Sequence, residues 1–228
     1  MEPLEILYQD AHVVAINKPH GLLVHRSKIA TNTDVYALQL LRDQMGQKVF
    51  PAHRLDRKTS GVLLFALTPE ANSLLQKQFA ENRVRKSYLS IVRGFTPKQE
   101  TIDYALTNES GKTQDAVTSY STLKQSEIEV PFGQFPTSRY SLIEVLPTTG
   151  RFHQIRKHLA HIFHPIIGDR PHGCNKQNKL FKEKWNMMRM MLHANSLEFI
   201  HPITDEPVII NADLSTEFKR TLSFLELN

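Results

Sequence analysis

The 228 residues predict an α+β fold, with a mostly antiparallel central sheet and flanking helices. Short apolar or alternating runs recur along the chain, each bounded by polar turn residues. Only a few segments carry helical spacing. The connections between these segments are mostly short.

In chain order, Ile6 to Tyr8 and Val13 to Asn17 read as strands around a Gln9-Asp10 turn. Lys18-Pro19-His20-Gly21 ends the second, and Leu22-Leu23-Val24 reads as a further extended piece. Asn32-Thr33-Asp34 supplies capping residues for a helix lined by Val35, Leu38, Leu40 and Leu41, which stops near Gly46. Phe50 leads into a charged loop, and Val62 to Ala66 is a buried strand. Thr68-Pro69-Glu70 combines a cap, a first-turn proline and an acid; the helix it starts puts Leu74, Leu75, Phe79 and Ala80 on one face and ends near Asn82. Lys86 to Val92 is a strand closed by Gly94. From Phe95 to about Pro136 the chain turns polar and irregular. This predicts an excursion from the main sheet, an insertion over residues 96–136 within a single domain spanning 1–228. Tyr140 to Val145 alternates like a strand, and helical spacing resumes at about His153. A basic, Met-rich tract runs from Lys176 to Met191. Strands at Leu192 to Phe199 and Val208 to Ile210 flank the turn 203–207, and a terminal helix spans about Ser215 to Leu225.

Composition narrows the function classes. Hydrophobic residues make up 40% and charged residues 22%, enough apolar material for a real core. Lys and Arg exceed Asp and Glu by 28 to 23, so a net charge of +5 permits a phosphate-bearing partner. A single cysteine, Cys174, excludes an internal disulfide and a cysteine zinc cage and predicts a reducing compartment. Met1 to Glu5 lacks the regions of a secretion signal, and no apolar run reaches membrane-spanning length. The expected location is the cytoplasm.

Two clusters carry chemistry. In His53-Arg54-Leu55-Asp56-Arg57-Lys58-Thr59-Ser60-Gly61 one carboxylate stands among three cationic side chains, on a loop feeding a buried strand. Positive neighbours favour the carboxylate form of an acid and draw a polyanion, as a nucleophile or base acting on nucleic acid requires. A surface salt-bridge cluster is the competing reading. In Gly150-Arg151-Phe152-His153-Gln154-Ile155-Arg156-Lys157-His158-Leu159-Ala160, a helix from about His153 would anchor Ile155 and Leu159 in the core. It would also fix Arg156 as a planar fork able to grip a carboxylate or phosphate at two points. His158 and His161 have a zinc-ligand spacing, but no acid lies between them and the interleaved cations would repel a metal, so no metal site is expected. Arg151, Lys157 and the lysines at 176, 179, 182 and 184 form either a solvated basic face or an RNA-facing one.

Together the clusters resemble the RluA-type pseudouridine synthases, over almost the whole chain. That family's catalytic loop reads His-Arg-Leu-Asp then Thr-Ser-Gly, as His53 to Asp56 and Thr59 to Gly61 do. Its Lys-x-Tyr strand is matched by Lys86-Ser87-Tyr88 with Gly94, and its Gly-Arg-x-His-Gln-Ile-Arg-x-His-Leu segment by Gly150 to Leu159. His164-Pro165-Ile166, Gly168-Asp169, Leu192-His193-Ala194 and Asn17-Lys18-Pro19-His20-Gly21 have counterparts in the same order. The resemblance implies a cofactor-free isomerase that converts uridine to pseudouridine in RNA. Asp56 would be the catalytic carboxylate, attacking C1′ or C6 or removing the 2′ proton. Arg54 would wedge into the gap left by an everted nucleotide, Tyr88 would stack on the base, and Arg156 would pair with Asp56. Tyr8-Gln9-Asp10, Leu23 to Ser27, Phe79 and His164 to Gly173 look most like family members acting on tRNA at uridine 65, which lack an N-terminal RNA-binding module. Many relatives carry Tyr where this chain has His172, which loosens local RNA contacts but not the chemistry. The expected partner is tRNA, with no membrane and no obligatory protein partner, the chain acting as a monomer. A ribosomal-RNA pseudouridine synthase and a non-catalytic RNA-binding protein are the alternatives.

Overall fold

A computed structural model describes residues 3–25 and 35–228. Its elements in chain order are β1 (Ile6–Gln9), β2 (Val13–Lys18), α1 (Ala37–Met45), β3 (Phe50–Pro51), β4 (Ser60–Ala66), α2 (Pro69–Ala80), β5 (Arg85–Arg93), β6 (Gln99–Asp103), β7 (Leu106–Thr107), β8 (Thr113–Gln114), β9 (Val117–Ile128), β10 (Ser138–Pro147), α3 (Gln154–His161), α4 (Asn175–Trp185), β11 (Leu192–Ile200), β12 (Pro207–Asn211) and α5 (Thr216–Phe224). They divide between two units, Met1–Lys86 with Ala194–Asp213 and Ser87–His193 with Leu214–Asn228, where the sequence predicts one domain. The Arg26-Ser27 part of the family match and the Asn32-Thr33-Asp34 cap lie outside the described residues.

In the first unit the neighbours run β1-β2-β4-β11, with β3 on β4 and β12 on β11. Asp10 makes the β1–β2 turn by accepting the His12 and Val13 N–H groups on Oδ1 at 2.7 and 2.8 Å. The apolar run in β4 is buried from Gly61 to Ala66 and pairs antiparallel with β2 from Lys18↔Gly61 to Val13↔Ala66. Leu22 to Val24 does not become a strand. It makes one bridge, Leu23↔Tyr36, and its carbonyls serve the start of α1, the N–H groups of Ala37 and Leu38 donating to Leu23 O and Val24 O at 2.8 and 3.0 Å. Helix α2 starts as predicted, with Thr68 Oγ1 accepting from Ala71 N. Its buried face is Ala71, Leu75 and Gln78, whereas Leu74 and Ala80 are exposed. Gln78 is drawn inside because its amide pairs with both backbone groups of Ile200, at 2.7 and 3.1 Å.

In the second unit the neighbours run β5-β10-β9-β6. The expected irregular excursion is corrected here, because the polar stretch contains β6 to β9. β9 is a twelve-residue strand paired with β10 from Ser138↔Ile128 to Pro147↔Thr118. Its buried positions are Thr118, Tyr120, Ser126 and Ile128, two of them small hydroxyl residues, so even the inward side gives little apolar alternation to read. Ile91, Tyr140, Ile143, Val145, Ile155, Leu159 and Phe181 belong to this unit's core, which α4 and α5 extend through stacking of Trp185 on Phe224 at 4.5 Å.

Gly61 has φ +107°, and a Cβ there would lie 2.1 Å from the Ala194 carbonyl oxygen. Backbone crowding and a forbidden φ act together, so Gly61→Ala is expected to cost roughly 2–5 kcal/mol in urea unfolding. Gly46→Ala, at φ +64° with open space around it, should cost only about 1–2 kcal/mol. Equal losses would show that the approach to Ala194 is not tight.

Candidate active site

The charged loop hangs between β3 and β4 of the first unit. Asp56 is half-buried, Arg54 and Arg57 are exposed, and Leu55 and Thr59 point inward as packing. A turn closes beneath the acid, Thr59 N donating to Asp56 O at 3.1 Å. A second turn, at the end of β2, braces it: Gly21 N donates to Arg57 O at 2.8 Å and Arg57 Nε donates back to Gly21 O at 3.0 Å. Gly21 takes φ +90° there, a conformation that favours glycine.

Lys18 joins the two turns from within. Its side chain is fully buried, and Nζ donates to the carbonyls of Pro19, Leu22 and Arg57 at 3.0, 2.9 and 3.3 Å. Burial pushes the Lys18 ammonium down to about 7, and the negative charge of Asp56 opposes that fall. Sequence reading placed Lys18 at a strand end without a role. A lysine between an apolar strand and a Pro-His-Gly turn was the available signal.

His53 opens the loop as a structural residue. Its Nε2 accepts the Leu64 N–H at 3.1 Å while Ala52 N donates to Leu64 O at 3.0 Å, so side chain and backbone together extend the β3–β4 ladder. The accepting nitrogen sets the neutral tautomer with its proton on Nδ1. Burial first, then the Lys86 charge, lowers His53 to about 4, and Phe79 stacks on its ring at 5.0 Å.

Tyr88 and Arg156 belong to the second unit. Tyr88 lies on β5 opposite Val145 of β10, half-buried against the core. Arg156 is 4% exposed, and its Nε and Nη2 donate to Asp169 Oδ2 and Oδ1 at 2.8 Å each. The two-point grip on a carboxylate is thus made with Asp169, 1% exposed, a residue noticed in the sequence only as the first acid after the histidines. Asn178 holds this corner by accepting from Gly168 N at 2.9 Å and donating to Asp169 O at 2.7 Å. At Gly168 a Cβ would meet Arg189 O at 1.9 Å.

The rest of the α3 motif is architecture. Gln154 accepts from Arg151 N and Thr149 Oγ1 at 2.9 and 2.7 Å, and donates to Val117 O and Thr118 Oγ1 at 3.0 and 2.9 Å. Each polar group of this buried amide serves α3, its entry turn or β9. His158 is also buried, between Thr118 Oγ1 on Nδ1 at 3.0 Å and Tyr104 O on Nε2 at 2.9 Å, and desolvation lowers its pKa. His153 faces His172 at 2.9 Å, His161 stacks on Tyr104 at 3.8 Å, and His164 bonds Arg93 O at 2.9 Å. His158 and His161, the pair at zinc-ligand spacing, both engage Tyr104, the first through its carbonyl and the second through its ring.

The RNA pseudouridylate synthase family model matches residues 12–161, a span that contains Arg54, Asp56, Tyr88 and Arg156. A tRNA pseudouridine synthase C from Vibrio parahaemolyticus is 45% identical over 98% of this chain and 95% of its own length. One from Salmonella typhimurium is 48% identical over 96% and 89%. Among solved structures, human RNA pseudouridylate synthase domain containing 4 matches with a TM-score of 0.75 and 25% identity, covering 97% of this chain and 93% of that one.

Two outcomes follow from the geometry. The unfolded chain binds the His53 proton near pH 6.5 and the folded protein only near 4, so stability falls as pH drops through that window. His53→Phe should flatten this slope in urea titrations between pH 4 and 6.5, and at neutral pH should cost about 1–3 kcal/mol by orphaning the Leu64 N–H. Asp169→Ala should cost about 3–5 kcal/mol, because it strips the buried Arg156 guanidinium of this carboxylate. An unchanged unfolding midpoint would refute that role.

Proposed function

Because the chain belongs to the RNA pseudouridylate synthase family, we propose that it isomerises a uridine of tRNA to pseudouridine, with Asp56 as the carboxylate at the reacting nucleoside. The observation that carries the tRNA reading is the 45–48% identity, over nearly the full chain, to relatives named tRNA pseudouridine synthase C. The target uridine on this reading is position 65, the protein acts in the cytoplasm as a monomer, and tRNA is its macromolecular partner.

The reaction breaks the C1′–N1 bond, turns the detached uracil over and forms C1′–C5; C5 then gives up its proton and N1 ends carrying one. Atoms and electrons balance within the nucleoside, so the chemistry asks for a carboxylate at the sugar–base junction and for groups that retain the free base. Asp56 meets the first need on a half-buried loop held from beneath by Lys18. A uridine within a stem must first leave its stack, at a cost of roughly a few kcal/mol. Arg54, exposed two residues before Asp56, is assigned the vacated place, where a planar cation can stack on neighbouring bases. Tyr88 is assigned to stacking on the everted base. Arg156 is assigned to pairing with the Asp56 carboxylate, its plane oriented by Asp169.

Asp56→Asn should lower pseudouridine formation by roughly a thousandfold or more while leaving tRNA affinity and the unfolding midpoint close to wild type. Turnover of that variant at the wild-type rate would end the proposal. Pseudouridine mapping of total RNA from a strain lacking the protein checks the target: loss at tRNA position 65 supports it, and loss confined to ribosomal RNA overturns it.

A further inference from the structure

The second unit carries a cavity of about 260 Å³, lined by Arg93, Phe132, Phe135, Arg139 and Gln177 among others and by neither Tyr88 nor Arg156. Its lip is the hairpin turn between β9 and β10. Phe132 N donates to Phe135 O at 3.0 Å and Phe135 N to Phe132 O at 3.2 Å, with Gly133 at φ +63° in the first central position. Residues paired in this way present their side chains on the same face, so Phe132 and Phe135 lie on one side of the turn, and both line the cavity. Phe135 is 56% exposed, so part of its ring is open to contact.

The cation beside these rings sharpens the reading. Arg93 is half-buried with its guanidinium over Phe132 at 5.1 Å and Nη1 3.9 Å from Cys174 Sγ; among the described residues it forms no ion pair with a carboxylate. Arg139, across the cavity, is balanced by Glu127 at 3.1 Å. A partly desolvated positive charge without an acid beside it favours an anion, and an exposed ring next to it favours a flat apolar face. A nucleotide supplies both in one unit.

We infer that this cavity takes one unpaired nucleotide of the RNA, its base against Phe135 and its phosphate on Arg93. The inference rests on RNA being the substrate and adds a contact remote in sequence from the catalytic loop. The test measures the Kd of a fluorescently labelled tRNA transcript at several salt concentrations, together with KM and kcat, for wild type, Phe135→Ala and Arg93→Gln. Phe135→Ala is expected to raise Kd and KM about tenfold with kcat and the salt slope unchanged. Arg93→Gln should raise both and also reduce the salt slope by about 0.7, the signature of one lost single-strand phosphate contact. Wild-type Kd and slope in both variants, or a fall in kcat with binding unchanged, would overturn it. Binding is read separately from turnover, so a wild-type protein that binds tRNA but forms no pseudouridine defeats the isomerase reading and leaves this one to the variants.

Discussion

The ammonium group of Lys18 is the constraint around which the acid-bearing loop is built. Removing a lysine from water is costly, and three backbone carbonyls, two from its own turn and one from Arg57, compensate it. Those bonds are short only if the turn after β2 and the turn beneath Asp56 keep their mutual spacing. The Gly21–Arg57 pair repeats the same linkage outside. A flexible loop is thereby converted into one whose carboxylate is placed by two strands of a sheet, as a site demanding fixed geometry needs. The electrostatics is mutual: Asp56 supports the charged form of Lys18 against burial, so the acid and its brace are one electrostatic unit.

The second unit solves the corresponding problem with a different pair. A guanidinium and a carboxylate, both almost without solvent access, meet through two parallel bonds. Neither would be tolerated alone in such a place, and the pair is a device for orientation more than for stability. Gln154 and His158 add a satisfied polar network between α3 and β9, which sets the helix that carries Arg156. In this segment Gln154, Arg156 and His158 are buried, whereas Arg151, His153 and Lys157 keep solvent access. The buried three hold Val117 O, Thr118 Oγ1, Tyr104 O and the Asp169 carboxylate.

Family membership and site legibility have the same origin. The stretches that identify the chain, from Asn17 to Gly21, His53 to Gly61, Gly150 to Leu159 and Leu192 to Ala194, are those where backbone groups approach closely or buried polar groups must be matched. Gly61 is glycine because Ala194 leaves no room for a Cβ, and Asp169 follows a glycine packed against the backbone of Arg189. Such positions tolerate little substitution for reasons of packing, quite apart from chemistry.

What the sequence determined by itself was whatever local physics dictates: strands from apolar runs, α2 from its Thr-Pro-Glu start, the end of α1 at Gly46, and the placement of Asp56 on a loop before a buried strand. It misjudged the polar stretch that became β9, since a strand with small hydroxyl residues on its buried side offers little apolar signal, and it put Leu74 in place of Gln78 on the buried face of α2. The partners of Lys18, His53 and Arg156 were decided only by tertiary structure. Each pairs with a group at a sequence distance that no periodicity encodes: Arg57 for the lysine, the Leu64 N–H for the histidine and Asp169 for the arginine. A buried polar group takes whichever complementary atom the packed chain delivers, and only the folded chain says which that is.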